Sequence, residues 1–107
     1  MGDRRMAEIR TSEGSLYFYT HWTGHSLEND AVEAIKLATP RRHDEFYALR
    51  RVVDHLIFAS GSRDNATGSG LMLKPNAEDQ YGGKPCSVLI DLVKWEVLWS
   101  GYHYGPK

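Results

Sequence analysis

His21 and His25 stand four positions apart in His21-Trp22-Thr23-Gly24-His25, a spacing at which two imidazoles can share a metal ion. On a helix, rings at i and i+4 reach one ion, and a third ligand comes from elsewhere in the fold. Here the pair falls at the end of a strand-like run and in the glycine-containing segment after it. The helical face that would align the two rings is missing. His103, in Gly101-Tyr102-His103-Tyr104, or Asp91 would have to complete such a site. The chain would then be a small metal-dependent hydrolase or nuclease centred on His21 and His25. A general acid–base pair of His21 with Asp91 would likewise need the fold to bring the two together. No Cys-x-x-Cys pair or dense acidic cluster accompanies the histidines, so the expectation is no metal and no other cofactor. Nucleophilic chemistry is as thinly supported. Cys86 follows Pro85 at the start of a predicted strand, and Gly68-Ser69-Gly70 is too short to cradle a phosphate. Neither a Gly-x-Ser-x-Gly elbow nor a Walker loop is present. The balance favours a binding protein with no catalytic residues.

The stronger signal is aromatic. Leu16-Tyr17-Phe18-Tyr19-Thr20-His21-Trp22 is a bulky, strand-favouring run that stops at Thr23-Gly24-His25-Ser26. With period two, Leu16, Phe18, Thr20 and Trp22 point one way, and Tyr17, Tyr19 and His21 the other. If helices cover the first face, Tyr17 and Tyr19 stand on the second, joined by Trp95 and Trp99 or by Leu98. The expected contact surface is therefore Tyr17, Tyr19, His21, Trp22, His25, Trp95 and Trp99. Rings on a sheet can stack nucleic-acid bases, but that use needs flanking cations. The chain has 13 Lys and Arg against 14 Asp and Glu, a formal charge of −1. A nucleic-acid partner, whose binding rests on phosphate neutralisation, is disfavoured. Tyr and Trp dominate protein–protein hot spots, so the expected partner is a protein or a second copy of the chain. The competing expectation packs the same rings against the 74–86 connection and the C-terminal tail.

These residues need a scaffold, and the pattern supplies one. Ala7–Thr11 alternates and reads as a short edge strand, with Ser12-Glu13-Gly14-Ser15 as the turn into the aromatic strand. Ser26 is an N-cap for a helix over about 27–38, with Leu27, Ala31, Ala34, Ile35 and Ala38 at helical spacing and Pro40 ending it. Asp44 caps a second helix, in which Phe46, Leu49, Val52, Val53, Leu56 and Ile57 fall within an arc of about 140°. The opposite side carries His43, Tyr47, Arg51 and His55 and reads as a solvated face, with a recognition ridge as the alternative. Ser60 to Ser69 is an exposed loop rich in Gly, Ser, Asn and Asp. Strands follow at Gly70–Lys74, Ser87–Leu92 and Trp95–Trp99, although Val93-Lys94 lacks the usual turn residues. The order β-β-α-α-β-β-β implies an α+β fold: an antiparallel sheet of about five strands with two helices on one face.

The length of 107 residues suits a single domain, with residues 1–6 as a loose N-terminal tail and 102–107 as a C-terminal tail. One cysteine excludes an internal disulfide. No run approaches the roughly 18 apolar residues that a membrane helix needs, and no signal peptide is recognisable. A cytoplasmic protein with no membrane contact is expected.

The segment Tyr19-Thr20-His21-Trp22-Thr23-Gly24, the helix Tyr47 to Ile57, Thr67-Gly68-Ser69-Gly70-Leu71 and the strand Val88 to Leu92 together resemble small uncharacterised proteins encoded by phages and prophages. The resemblance spans about residues 16–99 and implies a phage-type accessory protein. It brings no activity and no catalytic residue. The long 74–86 connection and the Trp-rich last strand depart from that pattern.

Overall fold

Two helices lie on one face of a six-stranded mixed sheet in a computed structural model that describes residues 4–73 and 86–105. The elements in chain order are β1 (Arg5–Thr11), β2 (Gly14–Thr20), α1 (Leu27–Ala38), α2 (Glu45–Ala59), β3 (Ser69–Met72), β4 (Val88–Asp91), β5 (Glu96–Trp99) and β6 (Tyr102–Tyr104). Across the sheet the order is β3-β2-β1-β4-β5-β6. The expected 74–86 connection, including Gly82-Gly83, lies outside the described residues apart from Cys86.

The α+β class with two helices on one face stands, but the sheet departs from expectation in three ways. It has six strands rather than five, because Tyr102–Tyr104 forms β6 and is not a tail. It is mixed rather than antiparallel, because β1 pairs with β4 in parallel, Ala7 opposite Val88 and Ile9 opposite Ile90. Consequently β1 is a central strand and not an edge, and Arg5 and Met6 belong to it rather than to a loose tail. The physical reason is burial. Ala7 and Ile9 are both 0% exposed, covered by the helix layer and flanked by β2 on one side and β4 on the other.

The β1–β2 hairpin closes through Ser12 and Glu13, with Thr11 opposite Gly14. Gly14 takes a φ of +134°, a conformation that favours glycine. Glu45, at the first position of α2, accepts hydrogen bonds from Ser12 N (2.9 Å) and Ser12 Oγ (2.7 Å). The hairpin turn is thus fixed to the helix layer.

The core lies between Ala7, Ile9, Phe18, Val88, Ile90 and Val97 on the sheet and Leu27, Ala31, Ala34, Ile35, Ala48, Val52 and Leu56 on the helices. The alanines allow close approach of helix to sheet and helix to helix. That choice also corrects the expected stripe of α2. The stripe runs Ala48–Val52–Leu56, with Leu49, Val53 and Ile57 partly buried. Phe46 lies about 160° from Ala48 at 100° per residue and is 82% exposed. Ser26 precedes α1 but does not cap it. Its hydroxyl donates to Thr23 O and to Asp30, and a 3₁₀ turn over Gly24–Ser26 leads in instead. Asp44 does cap α2, accepting from Tyr47 N.

The turn between β4 and β5 shows where sequence chemistry was hidden. Asp91, 1% exposed, accepts from Val93 N (2.9 Å) and Lys94 N (3.0 Å) through Oδ1. The last residue of β4 therefore supplies the turn-forming side chain that Val93-Lys94 lacks. Trp95 closes the turn at a φ of +59° and drops its ring into the core at 5% exposure.

Candidate functional site

Strand alternation and register assign every ring to a face. Met6, Tyr19 and Gly70 are cross-strand neighbours on the side away from the helices, as are Glu8, Tyr17, Met72 and Leu89. Leu98 and His103 continue that side through β5 and β6. Tyr17 and Tyr19 therefore sit on the face opposite the helices, as the alternation implies, and Leu98 joins them. Trp95 and Trp99 do not. Val97 is buried under the helices, so Trp99, two residues on, shares its side and packs against the core with Trp95. The expected single aromatic face is divided between the two sides of the sheet.

Exposure divides the rings again. Tyr19 is 7% exposed and its phenol oxygen lies 3.0 Å from His21 Nδ1. The Tyr19 and His21 rings meet edge to face at 6.4 Å, and His21 meets Trp22 the same way at 6.1 Å. Trp22, 43% exposed, lies against Gly68, where an added Cβ would fall 2.3 Å from the indole. Gly68 also takes a φ of +107° and accepts a backbone hydrogen bond from His21 N at 2.9 Å. No side chain fits there, so the glycine lets the 60–68 loop close onto the end of β2. The loop is less exposed than its composition implies. Ser60 and Ser62 are buried, and their hydroxyls run in a chain to Ser69.

Tyr19, His21 and Trp22 thus converge at one corner, with a groove of about 400 Å³ lined by Arg4, Tyr19, His21 and residues 66–72. His25 is exposed in the 3₁₀ turn that follows. Tyr17 is half-buried farther along β2. His103 is not part of this group. Between β2 and β6 lie β1, β4 and β5, four strand spacings or roughly 19 Å. There His103 Nε2 is 2.9 Å from Glu96 Oε1. Asp91 holds its turn and lies 3.6 Å from Arg10 Nη1. No three His, Cys, Asp or Glu side chains among the described residues group as metal ligands. The third ligand that a His21–His25 metal site needs is therefore not supplied by His103 or Asp91.

Cys86 borders a second groove, of about 470 Å³, with Glu8, Ser87, Leu89, Leu98 and His103. Burial, followed by the Glu8 carboxylate, pushes its thiol up to about 11 from an ordinary 9.0. The thiolate is therefore scarce at neutral pH. Iodoacetamide at pH 8 is expected to alkylate Cys86 about tenfold more slowly in the folded chain than in urea, after allowing for the greater nucleophilicity of a high-pKa thiolate. The linkage has a sign as well. The folded state holds the thiol proton more tightly than the unfolded state, so this contribution to stability is full below about pH 9 and is lost as pH rises toward 11. Urea midpoints at pH 8 and 10.5 compared between wild type and Cys86→Ser check it: the substitution should shrink the alkaline loss.

No family model, no curated protein and no solved structure matches this chain. No helix among the described residues is long and apolar enough to cross a membrane.

Proposed function

We propose that the chain is a non-enzymatic interaction module that takes an extended segment of a protein partner along β3, at the corner formed by Tyr19, His21 and Trp22. The observation that carries this reading is the character of β3. Among the described residues β2 is its only neighbour. Its sequence Ser-Gly-Leu-Met holds no charge and no proline, Leu71 is 48% exposed, and Trp22 against Gly68 is 43% exposed. Such an edge carries neither of two common guards against strand addition, a charge or a proline, although it is only four residues long, and it suits a partner strand whose backbone completes the ladder. The neighbouring groove would receive alternate side chains. Among its lining residues Arg4 is the one Lys or Arg, which favours protein over a phosphate backbone. The resemblance in sequence adds a role, a phage-type accessory protein acting on a host protein.

A photo-crosslinking residue at position 71 is expected to capture a partner, or a second copy of the chain, while one at Val93, also exposed, does not. Leu71→Asp should abolish capture with the circular dichroism spectrum unchanged. Equal capture from both positions, or none from 71, would sink the proposal. Sedimentation separates the two occupants: a dimer lost in Leu71→Asp identifies a second copy.

A further inference from the structure

A different surface, independent of β3, carries a second ligand assignment. The segment 36–51 holds five basic residues (Lys36, Arg41, Arg42, Arg50, Arg51) and two acidic ones (Asp44, Glu45) in a chain of net charge −1, and of the five Arg51 is paired with Asp54 at 3.5 Å. Both acids are engaged: Asp44 caps α2 and Glu45 holds Ser12. Lys36, Arg41 and Arg42 form no ion pair among the described residues. Each lies over a ring instead. Lys36 Nζ is 5.5 Å from the Tyr104 centroid, Arg42 Cζ is 5.7 Å from that of Trp95, and Arg41 Cζ is 4.9 Å from that of Tyr47. A cation stacked on a ring is held in place while its N–H donors stay free for an oxyanion. Beside Arg42 runs a groove of about 380 Å³, lined by Thr39, Arg42, Trp95, Gly105 and the Tyr104 ring that Lys36 covers. Along its outer side lies β6, for which β5 is the only neighbour among the described residues.

We infer that this groove binds an acidic, extended protein segment, which pairs with β6 and places carboxylates on Lys36 and Arg42. Charge complementarity selects an anionic occupant, and the geometry selects polypeptide over nucleic acid. Base stacking needs a free ring face, but Trp95 is 5% exposed and Tyr104 lies under Lys36. The strand edge, by contrast, offers backbone donors and acceptors that a peptide can match. Alternation along such a segment would put every second side chain on the cationic side.

The test uses a fluorescein-labelled octapeptide of alternating Glu and Val, read by anisotropy at low salt. It should bind the full chain, and at least about tenfold more tightly than the Lys and Val counterpart or a single-stranded oligothymidylate. Arg42→Glu and Lys36→Glu should each weaken it about tenfold, Arg42→Lys much less, and Leu71→Asp not at all. Amide shifts on binding should centre on residues 102–104 and the Trp95 indole N–H. Tighter binding of the oligothymidylate would reassign the groove to nucleic acid and overturn the inference. Indifference to charge reversal at Lys36, an exposed residue whose replacement leaves the core intact, would overturn it as well. The unchanged response of Leu71→Asp keeps this result separate from the fate of the β3 proposal.

Discussion

Replacing Asp91 with Ala is expected to lower the melting temperature by roughly 15 °C, corresponding to about 2–3 kcal/mol in a domain of this size. The residue is 1% exposed and its Oδ1 accepts from two backbone amides, Val93 N and Lys94 N. Without it, both donors lose their partner and the turn from β4 to β5 loses its organising side chain. Asp91→Asn separates the two roles of the carboxylate. The amide oxygen still accepts from the turn, whereas the attraction to Arg10 at 3.6 Å disappears. That variant should lose only about 1 kcal/mol, since Arg10 is largely exposed and such pairs are weak. Thermal unfolding by circular dichroism distinguishes the cases. Equal losses in both variants would mean that charge, not turn geometry, is what Asp91 contributes.

Trp95 and Trp22 should respond very differently to truncation. Trp95→Ala is expected to cost about 3–5 kcal/mol, the range for emptying a large aromatic site in a core. Its ring is 5% exposed, it donates through Nε1 to Thr39 Oγ1 at 3.3 Å, and it packs with Val97 and Leu92 in the core cluster. Trp95→Phe keeps most of the buried area and should cost about 1–2 kcal/mol, chiefly the lost hydrogen bond and the smaller ring. Trp22→Ala, at 43% exposure, should change stability by about 1 kcal/mol or less. Urea unfolding measures all three. A mild Trp95→Ala beside a severe Trp22→Ala would contradict the division of the rings between core and surface. Acrylamide gives an independent check, because it should quench Trp22 far more readily than Trp95.

Local physics made part of this architecture legible in the sequence. The helical spacing of Leu27, Ala31, Ala34, Ile35 and Ala38 marks α1 to its observed bounds, and Asp44 announces α2. The hairpin of β1 and β2 follows from alternation around Ser12-Glu13-Gly14. Non-local facts were not available there. Nothing near Ala7 shows that Val88 will lie beside it, so β1 reads as an edge until β4 is placed. The same ignorance governs the histidines, whose separation depends on strand order rather than spacing. Two further signals lie in the sequence. Ser100-Gly101, both at positive φ, is a two-residue hairpin loop flanked by aromatic strands, which identifies β6. Asp91 stands at the first position of its turn, where a short carboxylate is favoured. The phase of β5 was also readable, since Glu96, the one charged residue of the strand, marks the side away from the core and leaves Val97 to the other. That phase carries Trp99 to the helix side and away from Tyr17.

The side-by-side alignment of β1 with β4 has a consequence during synthesis. When the first 73 residues have left the ribosome, the hairpin and both helices can assemble, but the flank of β1 that awaits Val88–Asp91 is still raw. A nascent chain at that stage presents unsatisfied backbone beside Ala7 and Ile9, a template for mispairing with neighbours. Fragments ending before β4 should therefore aggregate or recruit chaperones, and a β4 peptide supplied in trans should rescue them.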